Sequence, residues 1–314
     1  MSQKIKIVKT QELPVLDVGI IGLGAMGEVI ADHLLANNFT VCGYDIAAER
    51  CALMAERGVD AKSSPQDVAE HADILISSLP SYQALQNVIG AEDGILQAHK
   101  PGQILLETST LKVSEKDAAA AQLEAAGKFF LDAPISGTTP LVRAMKGSLF
   151  IGGDQAAYEK CVPVIESFTA TNFYVGGVGA GSKMKYLANY LVFVQTVAAA
   201  ECFTLGQKAG FDPELIHQVI KESAGTSRMF EQRGEMMAKS DYRDGTAAVF
   251  NIFQKDAAII TDYAAENKSP IDLFVIAQQK FNAAAALGLD HLELAAVCKA
   301  IEMAAGIDRD MVED

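Results

Sequence analysis

The sequence lacks cysteine pairs, metal-binding clusters and uninterrupted apolar spans. Its five cysteines form no C-x-x-C pair, so we expect reduced thiols and a cytoplasmic location rather than a disulfide framework. There is no H-x-x-x-H, no carboxylate cluster with metal spacing and no G-x-S-x-G, so we predict neither a metal site nor a hydrolase. No apolar run reaches about 18 residues, and residues 1–11 lack the apolar core of a secretory signal, so we expect no membrane partner.

Positive charge is also scarce. The chain carries 26 Lys and Arg against 40 Asp and Glu, a net charge of −14. A polyanion would be repelled by this balance, so we expect no nucleic-acid partner, although a local basic pocket for a small anion remains compatible with it. With 314 residues, half of them hydrophobic, the chain is long enough for two domains with cores of their own.

What the sequence does contain is a strand, a glycine turn, a helix and a second strand near its start. The helix N-terminus favours an anionic diphosphate, and Asp45, which ends the second strand, can accept hydrogen bonds from ribose hydroxyls. This carboxylate repels a 2′-phosphate, so NAD is predicted, with NADP possible because Arg50 is near. The alternative is an ordinary βαβ unit that binds nothing. The predicted diphosphate turn is Gly22, Leu23, Gly24, Ala25, Met26 and Gly27.

The pattern of elements divides the chain in two. Strands alternate with helices as far as about residue 176, which predicts a doubly wound α/β Rossmann domain over residues 1–178. Only helical segments follow, at 179–210, 213–222, 247–266, 270–287 and 292–305, so we predict an all-α substrate or oligomerisation domain over 179–314. The first of these helices would be roughly 45 Å long. We expect it to span the domain junction or a subunit interface, and we predict a homodimer or homotetramer.

Three further stretches carry groups suited to chemistry. Asp132 to Gly137 follows a strand, and Lys255 is followed by Asp256. Gly181, Lys185 and Asn189 are four residues apart and share one helix face, where the small residue would let the backbone approach a ligand. Oxidation of a carbinol needs a proton acceptor, and a desolvated lysine titrates nearer neutrality. A neighbouring Lys255 would lower the pKa of Lys185 further.

The glycine turn and these three stretches, in their order along the chain, resemble the motifs of the β-hydroxyacid dehydrogenase family of the 6-phosphogluconate dehydrogenase superfamily. The resemblance implies NAD(P)-dependent interconversion of a small β-hydroxyacid and its semialdehyde or ketoacid by hydride transfer. It implies that Lys185 is the general acid/base, that Asn189 orients it or the substrate hydroxyl, and that Lys255 reaches the cofactor and closes the cleft. The substrate carboxylate would be bound by Ser136, Gly137 and Thr138. Further cofactor contacts would come from Leu79, Pro80 and Thr110.

Each of these residues also has a structural alternative. Lys185 could be a surface lysine, as we expect of Lys183 on another face of the helix. Lys255 stands in an apolar helical run, where lysines often extend their amine to solvent. Ser136 could cap a turn. None of the five histidines falls in these stretches, which disfavours a dehydrogenase with a His–Asp proton relay.

The sequence departs from the family pattern in the loop that carries the carboxylate site. Thr138 replaces the second glycine of S-G-G, and the loop 136–147 is about two residues longer than usual. A bulkier or more acidic substrate is therefore an open hypothesis, with Arg143 as a candidate for a second carboxylate; a solvated Arg143 is the competing and preferred interpretation. Ala84 stands where the family often has a polar residue, so one cofactor contact is expected to be missing.

Two other functions compete with the dehydrogenase. One is an imine reductase of the same fold, but those relatives generally lack the lysine found here at Lys185. The other is a non-catalytic cofactor-binding or scaffold protein. The joint presence of Ser136, Lys185, Asn189 and Lys255 argues against the latter. Turnover of cofactor with a panel of hydroxyacids distinguishes all three.

Overall fold

The computed structural model describes residues 16–242 and 250–309, without the side chains of residues 251 and 252. The predictions for residues 1–11 and for the start of the helix at 247–249 lie outside the described residues.

The N-terminal half is built on one sheet, in the strand order β3-β2-β1-β4-β5-β6-β8-β7, with β9 paired to β8. Pairing is parallel from β3 to β6, and β8 runs antiparallel to β6 and β7. The strands are β1 (Asp17–Ile21), β2 (Thr40–Tyr44), β3 (Asp60–Ala61), β4 (Ile74–Ser77), β5 (Ile104–Glu107), β6 (Phe129–Asp132), β7 (Ile135–Ser136), β8 (Ser148–Gly153) and β9 (Thr171–Gly176).

The helices cover the sheet and then form a layer of their own. They are α1 (Ala25–Ala36), α2 (Ala48–Ala55), α3 (Pro65–His71), α4 (Tyr82–Gly90), α5 (Val113–Ala125), α6 (Thr139–Arg143), α7 (Gln155–Glu166), α8 (Ala180–Lys208), α9 (Pro213–Lys221), α10 (Arg228–Lys239), α11 (Phe250–Glu266), α12 (Asp272–Ala286) and α13 (Val297–Ala304). Strands β4 and β5 are buried along their whole length, as strands covered on both faces are. The predicted α/β fold class with a following helical region is confirmed.

The helical half packs around α8. Phe193 on this helix lies with its ring centroid 5.1 Å from those of Phe274 and Phe281, and these aromatic contacts join α8 to α12. By length and composition alone α8 could cross a membrane. The same test is met by core helices of water-soluble proteins, and 44% of its most apolar stretch is buried against the rest of the chain.

The start of α8 is attached to the sheet. Ser182 donates two hydrogen bonds to Asp132, from its backbone N–H at 2.7 Å and from its hydroxyl at 2.8 Å. A Cβ on Gly181 would lie 2.3 Å from the carbonyl oxygen of Asp132 and 2.4 Å from that of Phe150. The prediction that Gly181 lets the backbone approach a ligand was therefore wrong: this glycine lets α8 approach the strand ends.

Two other predictions about elements need correction. The polar residues 108–110, which follow a strand in the sequence, predict a helix start there, but the helix begins at Val113, with Lys112 as its N-cap. Residues 108–110 instead follow β5 without regular secondary structure, which keeps Thr110 just beyond the end of a strand. Helix α10 was not predicted at all, and α6 occupies part of the loop 136–147.

Candidate active site

The glycine turn lies between β1 and α1 and leaves the helix N-terminus open. Gly24 is the N-cap, and no side chain caps the first turn, so its N–H groups are available to an anion. A Cβ on Gly24 would meet nothing within 4 Å, whereas one on Gly27 would lie 1.9 Å from the carbonyl oxygen of Gly22. Gly27 therefore allows strand and helix to pack, and the open space at Gly24 fits the close approach of a diphosphate.

Asp45 is fixed beside this turn. One carboxylate oxygen accepts the backbone N–H of Leu23 at 2.7 Å, and the other accepts that of Ala47 at 2.9 Å. A carboxylate offers about four acceptor sites, so lone pairs remain for ribose hydroxyls. Arg50, whose charge would suit a 2′-phosphate, lies 3.5 Å from Glu28. The charge of Arg50 is thus close to a carboxylate of its own chain.

A cleft of about 630 Å³ runs from the glycine turn to the helical half. We call it the cofactor cleft. Most of the predicted cofactor, substrate and catalytic residues line it; Gly22, Leu23, Gly27, Asp45 and Ser136 do not. Its lining includes Gly24, Ala25, Met26, Leu79, Pro80, Thr110, Gly137, Thr138, Lys185, Asn189, Lys255 and Asp256.

A second cavity of about 270 Å³ adjoins the cleft. We call it the substrate pocket. Its lining includes Ser136, and it shares Gly137, Thr138, Lys185 and Asn189 with the cofactor cleft. Lys185 thus lies in the wall that the two cavities share. From there its amine could act on a molecule in the substrate pocket while a second molecule occupies the cofactor cleft.

The environment of Lys185 favours its neutral form. Lys185 is only 8% exposed, and no described residue forms an ion pair or a hydrogen bond with its amine. Burial lowers the pKa of Lys185, the Asp256 carboxylate opposes this effect, and the positive charge of Lys255 reinforces it. A buried amine with a lowered pKa can accept and return a proton near neutrality.

Asp256 lies next to Asn189 and Lys255 in the cofactor cleft, and no role for it was predicted from the sequence. Its carboxylate accepts a hydrogen bond from Asn189 Nδ2 at 2.8 Å and lies 3.7 Å from Lys255 Nζ. Burial raises the pKa of Asp256, while Lys255 and Lys185 counteract this effect. Asn189 is thus bonded to Asp256. The sequence feature that could have indicated a role for Asp256 is its position next to Lys255 in an otherwise apolar helix.

Lys255 also crosses the cleft. Its Nζ donates a hydrogen bond of 2.8 Å to the backbone carbonyl of Thr110. One end of this contact is on α11 and the other is beyond β5, so the contact connects the helical half to the sheet across the cofactor cleft.

The loop 136–147 does not bring Arg143 to either cavity. Its guanidinium lies 3.0 Å from Asp32 and 3.4 Å from Glu28, both on α1. The preferred interpretation, a solvated Arg143, fits its exposed position. Ala84 lies on α4 and lines neither cavity. The basic residues that do line the substrate pocket besides Lys185, namely Lys146, Arg228 and Arg233, were missed.

Comparison with known proteins covers almost the whole described chain. Residues 17–177 match a family model described as the NAD binding domain of 6-phosphogluconate dehydrogenase. Residues 179–301 match one described as "NAD-binding of NADP-dependent 3-hydroxyisobutyrate dehydrogenase".

Individual relatives show this similarity over nine tenths of the chain or more. The chain is 30% identical to 2-(hydroxymethyl)glutarate dehydrogenase of Eubacterium barkeri, covering 93% of this chain and 97% of the relative. It is 31% identical to L-threonate dehydrogenase of Cupriavidus necator, covering 90% and 95%. A crystal structure of 3-hydroxyisobutyrate dehydrogenase from Salmonella typhimurium superposes with a TM-score of 0.79 at 29% identity, covering 90% and 99%. An imine reductase from Pseudomonas sp. shares the fold alone, with a TM-score of 0.58 at 18% identity, covering 91% and 99%.

Proposed function

Because this chain belongs to the β-hydroxyacid dehydrogenase family, we propose that its two adjoining cavities hold NAD(P) and a small β-hydroxyacid, with Lys185 as the proton acceptor. The protein is an NAD(P)-dependent oxidoreductase of hydroxyacids. The roles of individual residues are the part that we propose.

The residues around the cofactor cleft fit a dinucleotide. The open N-terminus of α1 would hold the diphosphate and Asp45 the ribose, while Leu79, Pro80, Thr110 and Lys255 would line the rest. When bound, the cofactor accepts a hydride from the carbinol carbon in oxidation and returns it in reduction. The nearby carboxylate of Asp45 supports a preference for NAD.

The chain's own contribution is to bind, orient and move one proton. Ser136 and the backbone N–H groups of Gly137 and Thr138 would hold the substrate carboxylate, which directs the hydroxyl towards Lys185. In oxidation the neutral amine takes the hydroxyl proton and becomes an ammonium; in reduction the ammonium returns a proton to the carbonyl oxygen. Holding both reactants supplies most of the acceleration, and the acid/base contributes about 10²–10⁴-fold.

The observation that carries this proposal is that a buried amine with a lowered pKa stands in the wall shared by the two cavities. We therefore expect Lys185→Met to bind NAD normally while its turnover falls about 10²–10⁴-fold. Lys183→Met is the matched control, because Lys183 lies on the same helix but lines neither cavity. Turnover of the Lys185→Met enzyme at the wild-type rate would refute the assignment.

The competing functions make different predictions in the same assay. An imine reductase would reduce cyclic imines with NADPH and would not oxidise hydroxyacids. A scaffold protein would bind the cofactor and turn over neither substrate. The presence of Lys185 in the shared wall supports the dehydrogenase, since oxidation of a hydroxyl group requires a base at its oxygen.

Self-association is a separate proposal about partners. Several large apolar side chains on α8 and α12 are exposed to solvent, namely Met184, Leu187, Leu191, Leu273 and Ile276. Exposed apolar residues on adjacent helices are typical of subunit interfaces. We expect a homodimer or homotetramer in sedimentation velocity, and partial dissociation by Leu187→Glu. A wild-type protein that sediments as a monomer at assay concentration contradicts the proposal.

A further inference from the structure

The substrate pocket carries more positive charge than the proposed reaction uses. Four basic side chains line it, Lys146, Lys185, Arg228 and Arg233, and none of its described lining residues is acidic. The chain as a whole has a net charge of −14, so this concentration of basic residues is contrary to the overall balance. Such a pocket attracts an anion.

Two of these four basic side chains already have a function. Lys185 is the proposed acid/base. Arg233 is buried and directs its guanidinium to Glu293, with Nε and Nη2 each 2.9 Å from one carboxylate oxygen. This pairing neutralises the charge of Arg233 within the protein.

The other two basic side chains have no ionic partner among the residues that the structure describes. Neither Lys146 nor Arg228 forms an ion pair with any residue in 16–242 or 250–309. Arg228 is the first residue of α10, and Lys146 lies between α6 and β8. Two unpaired cations therefore reach one pocket from the two halves of the molecule.

Their position separates them from the reacting groups. Lys146 and Arg228 line the substrate pocket but not the cofactor cleft, whereas Gly137, Thr138 and Lys185 line both. The hydroxyl of the substrate is assigned to this shared part, and its first carboxylate to Gly137 and Thr138 there together with the neighbouring Ser136, which lines the substrate pocket alone. The part of the substrate pocket that lies outside the cofactor cleft is also lined by the apolar side chains of Leu141, Val192 and Met229, which suit a short methylene chain.

We propose that the substrate is a dicarboxylic β-hydroxyacid, whose second carboxylate is bound by Arg228 and Lys146. The guanidinium fork matches a carboxylate with two parallel hydrogen bonds, and the ammonium adds a point charge. The proposal rests on the proposed function and specifies its substrate class. It also replaces Arg143, which is paired with α1, as the residue that selects a second carboxylate.

The test uses two hydroxyacids that differ only at the end of one side chain, 2-(hydroxymethyl)glutarate and 2-(hydroxymethyl)pentanoate. We expect wild-type kcat/KM to favour the diacid. In Arg228→Gln this preference should fall roughly 10- to 100-fold, the effect of losing a hydrogen-bonded charge, and in Lys146→Gln it should fall less. Arg143→Gln is the matched control and should keep the wild-type preference, because Arg143 lines neither cavity.

A binding measurement separates this inference from the proposed function. Titration calorimetry in the presence of NAD compares glutarate, pentanoate and 4-phosphonobutyrate in wild type and Arg228→Gln. An Arg228-dependent preference for glutarate supports the second carboxylate site, whether or not any hydroxyacid is oxidised. Failure to oxidise any hydroxyacid would refute the proposed function alone. Oxidation of both hydroxyacids with equal kcat/KM overturns the inference alone. Tighter Arg228-dependent binding of 4-phosphonobutyrate than of glutarate also overturns it, in favour of a phosphorylated substrate.

Discussion

Asn189 Nδ2 donates a hydrogen bond of 2.8 Å to the carboxylate of Asp256, and this bond joins α8 to α11 one helical turn from Lys185. The same carboxylate is 3.7 Å from Lys255 Nζ. A buried negative charge and a second positive charge therefore both influence the amine of Lys185. Loss of the negative charge would lower the pKa of Lys185, and loss of the positive charge would raise it.

The first prediction concerns the pH dependence of oxidation, which requires the neutral amine of Lys185. Since the pKa of Lys185 is lowered from the ordinary value of 10.5, kcat/KM should rise with pH and level off below that value. Asp256→Asn removes a charge that favours the ammonium, so the rise should move to lower pH. Lys255→Met removes a charge that disfavours the ammonium, so the rise should move to higher pH.

The measurement is kcat/KM for hydroxyacid oxidation across the pH range in which all three proteins are folded. Opposite displacements of the two variants are specific to a titrating group between them, since a general loss of structure would lower both curves without moving them apart. Displacements in the same direction, or none, would rule out Lys185 as the titrating group.

The second prediction concerns the hydrogen bond from Lys255 to the carbonyl of Thr110 across the cofactor cleft. Without this contact, the two walls of the cleft lose one connection next to the cofactor, so Lys255→Met should raise the Kd for NAD roughly 5- to 10-fold. Lys112→Met is the control: Lys112 pairs with Asp262 at 2.8 Å and also joins sheet to helices, but lies outside the cleft. Equal weakening by both variants would indicate a general effect on domain packing.

How far the sequence predicts this molecule depends on whether the signal is local. The turn that ends in Gly27 and the four-residue spacing of Lys185 and Asn189 are local patterns, and the structure contains the corresponding turn and helix face. Helix α10 was not predicted; Gly234 in its middle lowers its helix propensity, although its cap Ser227 and the spacing of Phe230 and Met237 were visible in the sequence. Helix propensity is a weak guide where packing against α8 and α9 decides.

Relations between distant residues were out of reach for a different reason. Arg143 and Arg228 are both exposed, charged and next to loops, so composition does not distinguish them. Arg143 is turned towards Asp32 by the packing of α6 on α1, and Arg228 faces the substrate pocket because α10 begins there. The partnership of Asp256 with Asn189 likewise depends on how α11 meets α8.

The third prediction separates the two functions of glycine in the diphosphate turn. Gly24→Ala adds a Cβ that meets nothing within 4 Å in the protein, so the free energy of unfolding should change by no more than about 1 kcal/mol, the effect of an N-cap substitution. The same methyl group occupies the space expected for the diphosphate, so the Kd for NAD should rise about tenfold or more. Gly27→Ala should instead prevent stable folding, because its Cβ would lie 1.9 Å from a backbone oxygen. Wild-type affinity for NAD in Gly24→Ala would place the diphosphate elsewhere.

The last prediction concerns the buried ion cluster beneath the start of α8. The amine of Lys116 is fully buried between the carboxylates of Glu107 and Asp132, the latter at 3.0 Å. Burial alone would lower the pKa of Lys116, but the two carboxylates together raise it, so the cluster is charged. Lys116→Met would leave two carboxylates buried without a counter-charge. We expect the free energy of unfolding, measured in urea, to fall by about 3–5 kcal/mol.

Two further variants connect this loss to the charges and to α8. Adding Glu107→Gln to Lys116→Met removes one of the stranded charges and should restore part of the stability. Ser182→Ala removes one hydrogen bond to Asp132 and leaves the ammonium of Lys116 in place as the counter-charge, so it should lower the free energy of unfolding by only about 1.5–3 kcal/mol. A double variant that is less stable than Lys116→Met would mean that packing around the lysine stem, rather than its charge, stabilises the attachment of the helical half to the sheet.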